Sequence, residues 1–501
     1  MSAGAATTPA PDEVRRSTRS GAVGLAGAAV NGAFGFVLTT VIVRTYGADG
    51  SGALFTVIGL VTIVGAICCL GADTGLMWAI PRRPRDTAGR LLPVALLPTL
   101  GLALAVGAAG VAAAGPVGRA LLDSADATAL IRVAFVGVPV IVAATVLLAA
   151  VRATRNVTAY VGVQFLFVPI ARPLLVAGAV AAGGGVLLGF AGWLVPVGVA
   201  AVLGLLLVAR PLGVARPAPA DWRPFWSFAL PRAASVAIDA SSMWVGVLLA
   251  GALAGQAEAG VFAAVGRYAL AGLLVMQGLR VAIAPQLSRL LGTDRRPDAA
   301  AVYRRTTLWI VLLSWPAYLL LALFAPAFLA LFGPEFAAGA GPMAVLAAAM
   351  LVNVGVGLVQ TVLLMSGNSR GHLLATVAGL TLNVAGCLVL IPRHGALGAA
   401  VAWSLGIVCE NVLAAILARR ALGAPLFSRP LVLAAGALVA ATLAAGTLGV
   451  LTGGRGLPGL AVTLGVLLGG CAAALASRRV RSALSKVRSQ LRPHPQPERS
   501  S

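Results

Sequence analysis

The chain has 501 residues, 59% of them hydrophobic and only 10% charged, against roughly 25% charged in soluble domains. That balance excludes a water-soluble globule, because uncharged stretches near the ~20 residues that a membrane-crossing helix needs recur along almost the whole length. The formal charge of +22 would suit a nucleic-acid binder, but where the charges lie excludes that partner too.

In chain order, spans 1 to 6 are expected near 19–43, 51–80, 91–115, 130–151, 157–182 and 186–209. Spans 7 to 12 follow near 225–251, 259–285, 306–331, 341–366, 371–391 and 396–418, and spans 13 and 14 near 430–451 and 457–476. Only residues 1–18, a loop near 286–303 and the tail after Ala476 read as aqueous. Of the 37 arginines and lysines, 28 fall on the side that holds both termini and 4 on the other (Arg44, Arg119, Arg393, Arg455). Five more, Arg132, Arg172, Arg232, Arg267 and Arg280, lie within spans. By the positive-inside rule the first side is cytoplasmic, so both termini are expected in the cytoplasm. The basic excess is then mainly a topology signal, with anionic membrane lipids as secondary partners.

The chain resembles itself at a shift of 210. Pro116 falls on Pro326, Gly185 on Gly395, Trp193 on Trp403, and Arg210, Leu212 and Gly213 on Arg420, Leu422 and Gly423. At a shift of 208, Gly52 meets Gly260. An even number of spans per copy makes the copies parallel, and transporters built from such repeats hold their substrate between them. The expected fold class is therefore an all-α integral membrane protein of about fourteen transmembrane helices. Residues 1–18 form an N-terminal segment, 19–213 a first lobe, 214–423 a second lobe, 424–476 two accessory spans and 477–501 a basic tail.

Enzyme chemistry finds no support. The single lysine, Lys486, lies in the tail, so no Walker A loop is possible. The three histidines are far apart, and the five cysteines stand in apolar runs without CxxC pairing. No cofactor or metal is expected.

What remains is charge inside spans, each costing about 2.5–3.5 kcal/mol to insert. Arg172 in span 5, Asp239 in span 7 and Arg267 in span 8 lie roughly 12–18 Å below the arginine-poor ends of their spans at 1.5 Å per residue. One reading is a basic cavity for an anionic head group such as a pyrophosphate. The other is an Asp239–Arg267 ion pair between helices, with Arg172 capping backbone carbonyls. Arg232, Ser235, Asp239 and Ser242 form one polar stripe on span 7. Asn31, among Gly24, Ala28 and Gly35, reads as cavity lining or close packing, and Asn353 and Gln360 as lining or interhelical glue. Asp73 and Arg280 read as near the cytoplasmic ends of their spans, within reach of the interface. Glu410, deeper in span 12 and with no partner visible in sequence, is a candidate for coupling a proton or sodium gradient.

RTYGADGSGALFTVIGL and LGADTGLMWAIPR resemble the first two spans of bacterial polysaccharide (oligosaccharide-lipid) flippases. AGVFAAVGRY, APQLSRLL, LFAPAFLALFGPEF, LLMSGNSR and LIPRHGALGAAVAW extend the likeness to roughly 15–423. The resemblance implies two six-helix bundles in a V around a central cavity, plus two accessory helices. It also implies a substrate, an oligosaccharide on an undecaprenyl-type pyrophosphate carrier turned to the outer leaflet of a bacterial cytoplasmic membrane. A polysaccharide polymerase or ligase machinery would be the partner. Arginines are expected in such a cavity, and Arg172, Arg232 and Arg267 fit. A lipid II flippase is the nearest alternative. A multidrug antiporter would carry acids in the first bundle, and a glycan polymerase or ligase a long external loop that this chain lacks.

Overall fold

The computed structural model describes residues 11–476 apart from 123, 125, 155, 156 and 214. The first ten residues and the basic tail from 477 lie outside the described residues, as does the side chain of Asp239. The described residues are almost entirely helical and contain no strand. With no water to satisfy peptide groups in a bilayer, a chain this apolar must close its hydrogen bonds within each segment, and the helix does so. Nine of the described helices, or ten counting the bent helix Pro219–Ala254, are long and apolar enough to cross a membrane.

Two of these helices are double. Pro11–Cys68 carries spans 1 and 2 and breaks at Gly47, and Ser369–Leu422 carries spans 11 and 12 and breaks at Gly395. Gly47 has φ 67° and Gly395 φ 49°, a left-handed region that side-chain-bearing residues avoid. Gly255, 208 residues after Gly47, makes the same kind of break between spans 7 and 8 with φ 95°. The repeat register therefore extends to the turn glycines.

The repeat-related pair Gly52 and Gly260 meet where span 2 crosses span 8. A Cβ on Gly52 would stand 1.8 Å from Gln256 O, and one on Gly260 2.3 Å from Ala48 O. Residues related by a twofold axis touch each other only when they lie beside that axis, and here both must be glycine for the backbones to approach. Gln256 fastens the same crossing, donating from Nε2 to Leu121 O at 2.6 Å while its Oε1 accepts from Thr56 Oγ1 at 3.2 Å.

Irregular backbone occurs in spans 5, 8 and 10, and the turn in span 5 borders the central space. Span 5 contains a π-helical turn at Gly162–Phe167, and span 8 is divided into Gln256–Ala271 and Leu274–Gly292. Span 10 is likewise divided into Ala340–Gly355 and Val359–Met365. Membrane proteins tolerate such breaks where they line a cavity. Two expectations need correcting. The loop near 286–303 is helical except at 293–295, because helices Leu274–Gly292 and Arg296–Leu323 run on past the apolar zone. Span 2 is also not one straight rod. It breaks at Leu70 (φ 50°) and Gly71 (φ 72°) and resumes as Ala72–Ala79.

Candidate functional site

A cavity of about 450 Å³ lies between the halves of the chain, lined by spans 1, 2, 4, 5 and 6 and by Val236, Trp244 and Arg267 from spans 7 and 8. Its lining contains two of the predicted arginines, one from each half. Arg172 is held by span 6: its guanidinium carbon lies 4.1 Å from the ring centroid of Trp193, and its Nε donates to Trp193 O at 3.3 Å. Trp193 is buried and stacks on Phe190 at 5.7 Å, so the platform beneath the charge is packed. The landmark tryptophan of the repeat thus positions the arginine. The carbonyl contact anticipated in the plainer reading of Arg172 is present, and it coexists with the cavity.

Arg267 has no hydrogen bond or ion pair among the described residues; the ion pairs there are Arg83–Asp221, Arg295–Asp298 and Arg296–Asp294. Both arginines are partly buried and line the same cavity from opposite halves, and guanidinium groups placed this way can hold the oxygens of an anion. Asn31 also lines the cavity, and Asn31 and Arg267 both face an adjoining space of about 580 Å³ between spans 1 and 8. That second space is lined mostly by small residues, Ala29, Gly32, Ala33 and Gly35 among them. The two cavities share Asn31, Gly35 and Arg267 in their linings, so they lie side by side between spans 1 and 8.

Other predicted residues are placed elsewhere. Arg232 is exposed, with its guanidinium 4.8 Å from the Phe228 ring, and does not line the central cavity. Among the described side chains, span 7 reaches that cavity through Val236 and Trp244 and not through Arg232, Ser235 or Ser242. Glu410 sits in a separate cluster, where Gln360 Nε2 donates to its Oε1 at 2.8 Å and Thr376 Oγ1 lies 3.1 Å from the same oxygen. Asn411 Nδ2 donates to Asn353 Oδ1 at 3.1 Å. Span 12 is therefore tied to span 10 through Asn353 and Gln360, and Glu410 has the partners that the sequence did not reveal.

Sequence reasoning missed Asp73. The break at Leu70–Gly71 turns the following helix so that Asp73 lines the central cavity instead of reaching the interface. Its Oδ1 is buried and has no hydrogen-bond partner among the described residues. The signal available was the glycine two residues earlier, which marked a possible break but not its direction. Gln164, from the π-helical turn, is a second missed lining residue. Such turns recur at functional sites, since the extra residue re-aims a side chain.

No family model and no curated protein sequence matches the chain. Solved structures do. The lipid II flippase MurJ, in an inward closed conformation, superposes with a TM-score of 0.68 at 10% identity, over 90% of this chain and 97% of its own. An inward-facing multidrug resistance MATE family transporter of the MOP superfamily gives 0.59 at 14%, over 78% and 94%. A MOP superfamily transporter from Pyrococcus furiosus, whose binding pocket has reverse polarity, gives 0.57 at 17%, over 80% and 93%. The chain is thus an all-helical, multi-pass membrane protein with the fold of MOP superfamily transporters.

Proposed function

We propose that the protein is a flippase that moves a lipid-pyrophosphate-linked oligosaccharide from the inner to the outer leaflet of a bacterial cytoplasmic membrane by alternating access. The observation that carries this reading is the pair Arg172 and Arg267, one from each half, lining a single cavity in which the acid described, Asp73, makes no ion pair with either among the described residues. Guanidinium forks match phosphate oxygens, and two of them suit a diphosphate. The reading takes the arginine-rich end as cytoplasmic. The opposite end is then outer, where the Gly52–Gly260 crossing closes the bundle. On this reading the cavity is open inward, and the adjoining space between spans 1 and 8 lets the carrier chain stay in the bilayer while the head group enters. Rocking of one half against the other then releases the head group outward, and Glu410 is the site through which an ion gradient biases that motion.

A lipid II flippase is the second reading. It is supported by the likeness to MurJ, which extends over 90% of this chain, where the MATE structure covers 78%. A multidrug cation antiporter is disfavoured by the two arginines, although Asp73 supplies the first half of the cavity with an acid of the kind that reading calls for.

The test is flipping in proteoliposomes with fluorescent undecaprenyl-pyrophosphate oligosaccharide, with lipid II and with a cationic dye, comparing wild type, Arg172→Ala and Arg267→Ala. Transport of the oligosaccharide lipid that collapses in either variant supports the reading. Lipid II moved alone transfers it to the second, and undiminished transport in the double variant removes the arginines from the mechanism.

A further inference from the structure

At the arginine-rich end of the second half, away from the central cavity, three span ends converge on two adjoining cavities. The larger holds about 470 Å³ and takes Leu291, Arg296, Ser366, Asn368, Leu417 and Arg420 among its lining. The smaller, about 420 Å³, shares Arg420 and adds Arg419, Ile416 and Pro425. These residues come from the turn between spans 8 and 9, the turn between spans 10 and 11, and the end of span 12. They stand where the apolar zone of the bundle gives way to charge.

The donors at this place are only partly used. Arg420 makes no ion pair and no hydrogen bond among the described residues. Arg296 spends its Nε on Asp294 Oδ1 at 2.8 Å, leaving its two terminal nitrogens. The Asn368 side-chain oxygen accepts from Gly371 N at 3.0 Å, which leaves that amide's two N–H groups to face the cavity it lines. The one acid in the lining, Asp294, is already engaged by Arg296. Two guanidiniums and an amide thus border a space that Asp294 and Ser366 also line and whose apolar wall is Leu291, Leu417 and Ala421. Arginines that merely snorkel would reach outward from a convex surface; these line a concave one built from three separate segments. A cationic rim over an apolar wall matches the layering of a phospholipid, with a phosphodiester above and glycerol and the first methylenes below.

We propose that this double cavity binds the head group of an anionic phospholipid. The site is distinct from the transport cavity, and its assignment does not depend on which substrate is moved.

The experiment is native mass spectrometry of the full-length protein in mild detergent, titrated with phosphatidylglycerol or phosphatidylcholine. Wild type is expected to retain one phosphatidylglycerol at concentrations where phosphatidylcholine is not held. Arg420→Gln and Arg296→Gln are each expected to lower that retention at least fivefold, whereas Arg119→Gln, at the other end of the bundle, leaves it unchanged. Thermal unfolding without added lipid reports whether each variant folds, and because the two arginines lie on different segments, a folding defect in one leaves the other to test the site. Equal retention of the two lipids, or wild-type retention in both glutamine variants, overturns the site. Displacement of the lipid by millimolar inorganic phosphate also overturns it, assigning the donors to a soluble anion.

Discussion

Replacing Glu335 and Arg44 with alanine removes both hydrogen bonds that tie the turn after span 1 to the turn after span 9. Glu335 Oε2 accepts from the Ala48 N–H at 2.7 Å, and Arg44 Nε donates to Leu331 O at 2.7 Å. Both are exposed, so each is assigned about 1 kcal/mol, the middle of the net range for hydrogen bonds and not the charged maximum. Together they amount to about 2 kcal/mol, or about 25-fold in an equilibrium constant. The two bonds link opposite halves of the chain, so separating the halves at this end breaks both. An open minor state populated at about 1% is then expected to rise to about 20% in the double variant. Spin labels at Asp49→Cys and Ala338→Cys, with Cys409 and Cys471 replaced by serine, measure the separation directly. A second, longer distance should appear in the double variant and be scarcely visible in wild type. An unchanged distribution in a folded double variant would refute the assignment of these bonds as a latch.

Three further outcomes follow from the geometry. Gly52→Ala places a methyl 1.8 Å from Gln256 O; overpacking of this kind costs about 1–3 kcal/mol, so a lower Tm in detergent is expected, and an unchanged one would show that spans 2 and 8 do not meet as described. Burial of the Asp221 carboxyl pushes its pKa up, but the Ala218 N–H and Arg83 outweigh burial and hold it below the usual carboxylate range. A depressed folded value means that the stabilisation is fully present above the unfolded pKa of about 3.9 and is lost as pH falls through the folded value. The Tm gap between wild type and Asp221→Asn is therefore expected to be constant above about pH 4 and to narrow below it, and a gap that widens on acidification would contradict the sign. Glu410→Gln keeps a hydrogen-bonding shape beside Gln360 and Thr376 while removing the charge. Flipping in proteoliposomes is expected to lose its dependence on an imposed ion gradient while binding is retained, and a gradient response equal to wild type would return Glu410 to a structural role.

Much of the architecture was legible in the sequence because the bilayer imposes strong, one-dimensional rules. Apolar length marks spans, arginine placement sorts their ends, and a repeat of 208–210 residues relates the halves; none of these needs to know which helix touches which. Of the turn glycines, Gly395 was marked by the repeat, whereas Gly47 and Gly255 were recognised only from their left-handed φ. A basic cavity holding Arg172 and Arg267 was one of two readings of their shared depth, the other being an ion pair and a carbonyl cap. The structure adds that both line one cavity and that Trp193 carries Arg172.

What only the tertiary structure decided is the facing of each side chain. Depth counted along a straight helix put Asp73 at the membrane surface, but the break at Leu70–Gly71 brings it to the cavity wall, and hydropathy is blind to such a break. Of the polar stripe on span 7, Arg232, Ser235 and Ser242 do not line the cavity, and among the described side chains Val236 and Trp244 are what that span presents to it. Glu410 acquired Gln360 and Thr376 from residues 50 and 34 positions away, a proximity that packing creates and that spacing along the chain cannot. A sequence fixes what each segment must bury, because transfer from water depends on the segment alone; which neighbour satisfies a polar group depends on how the segments cross.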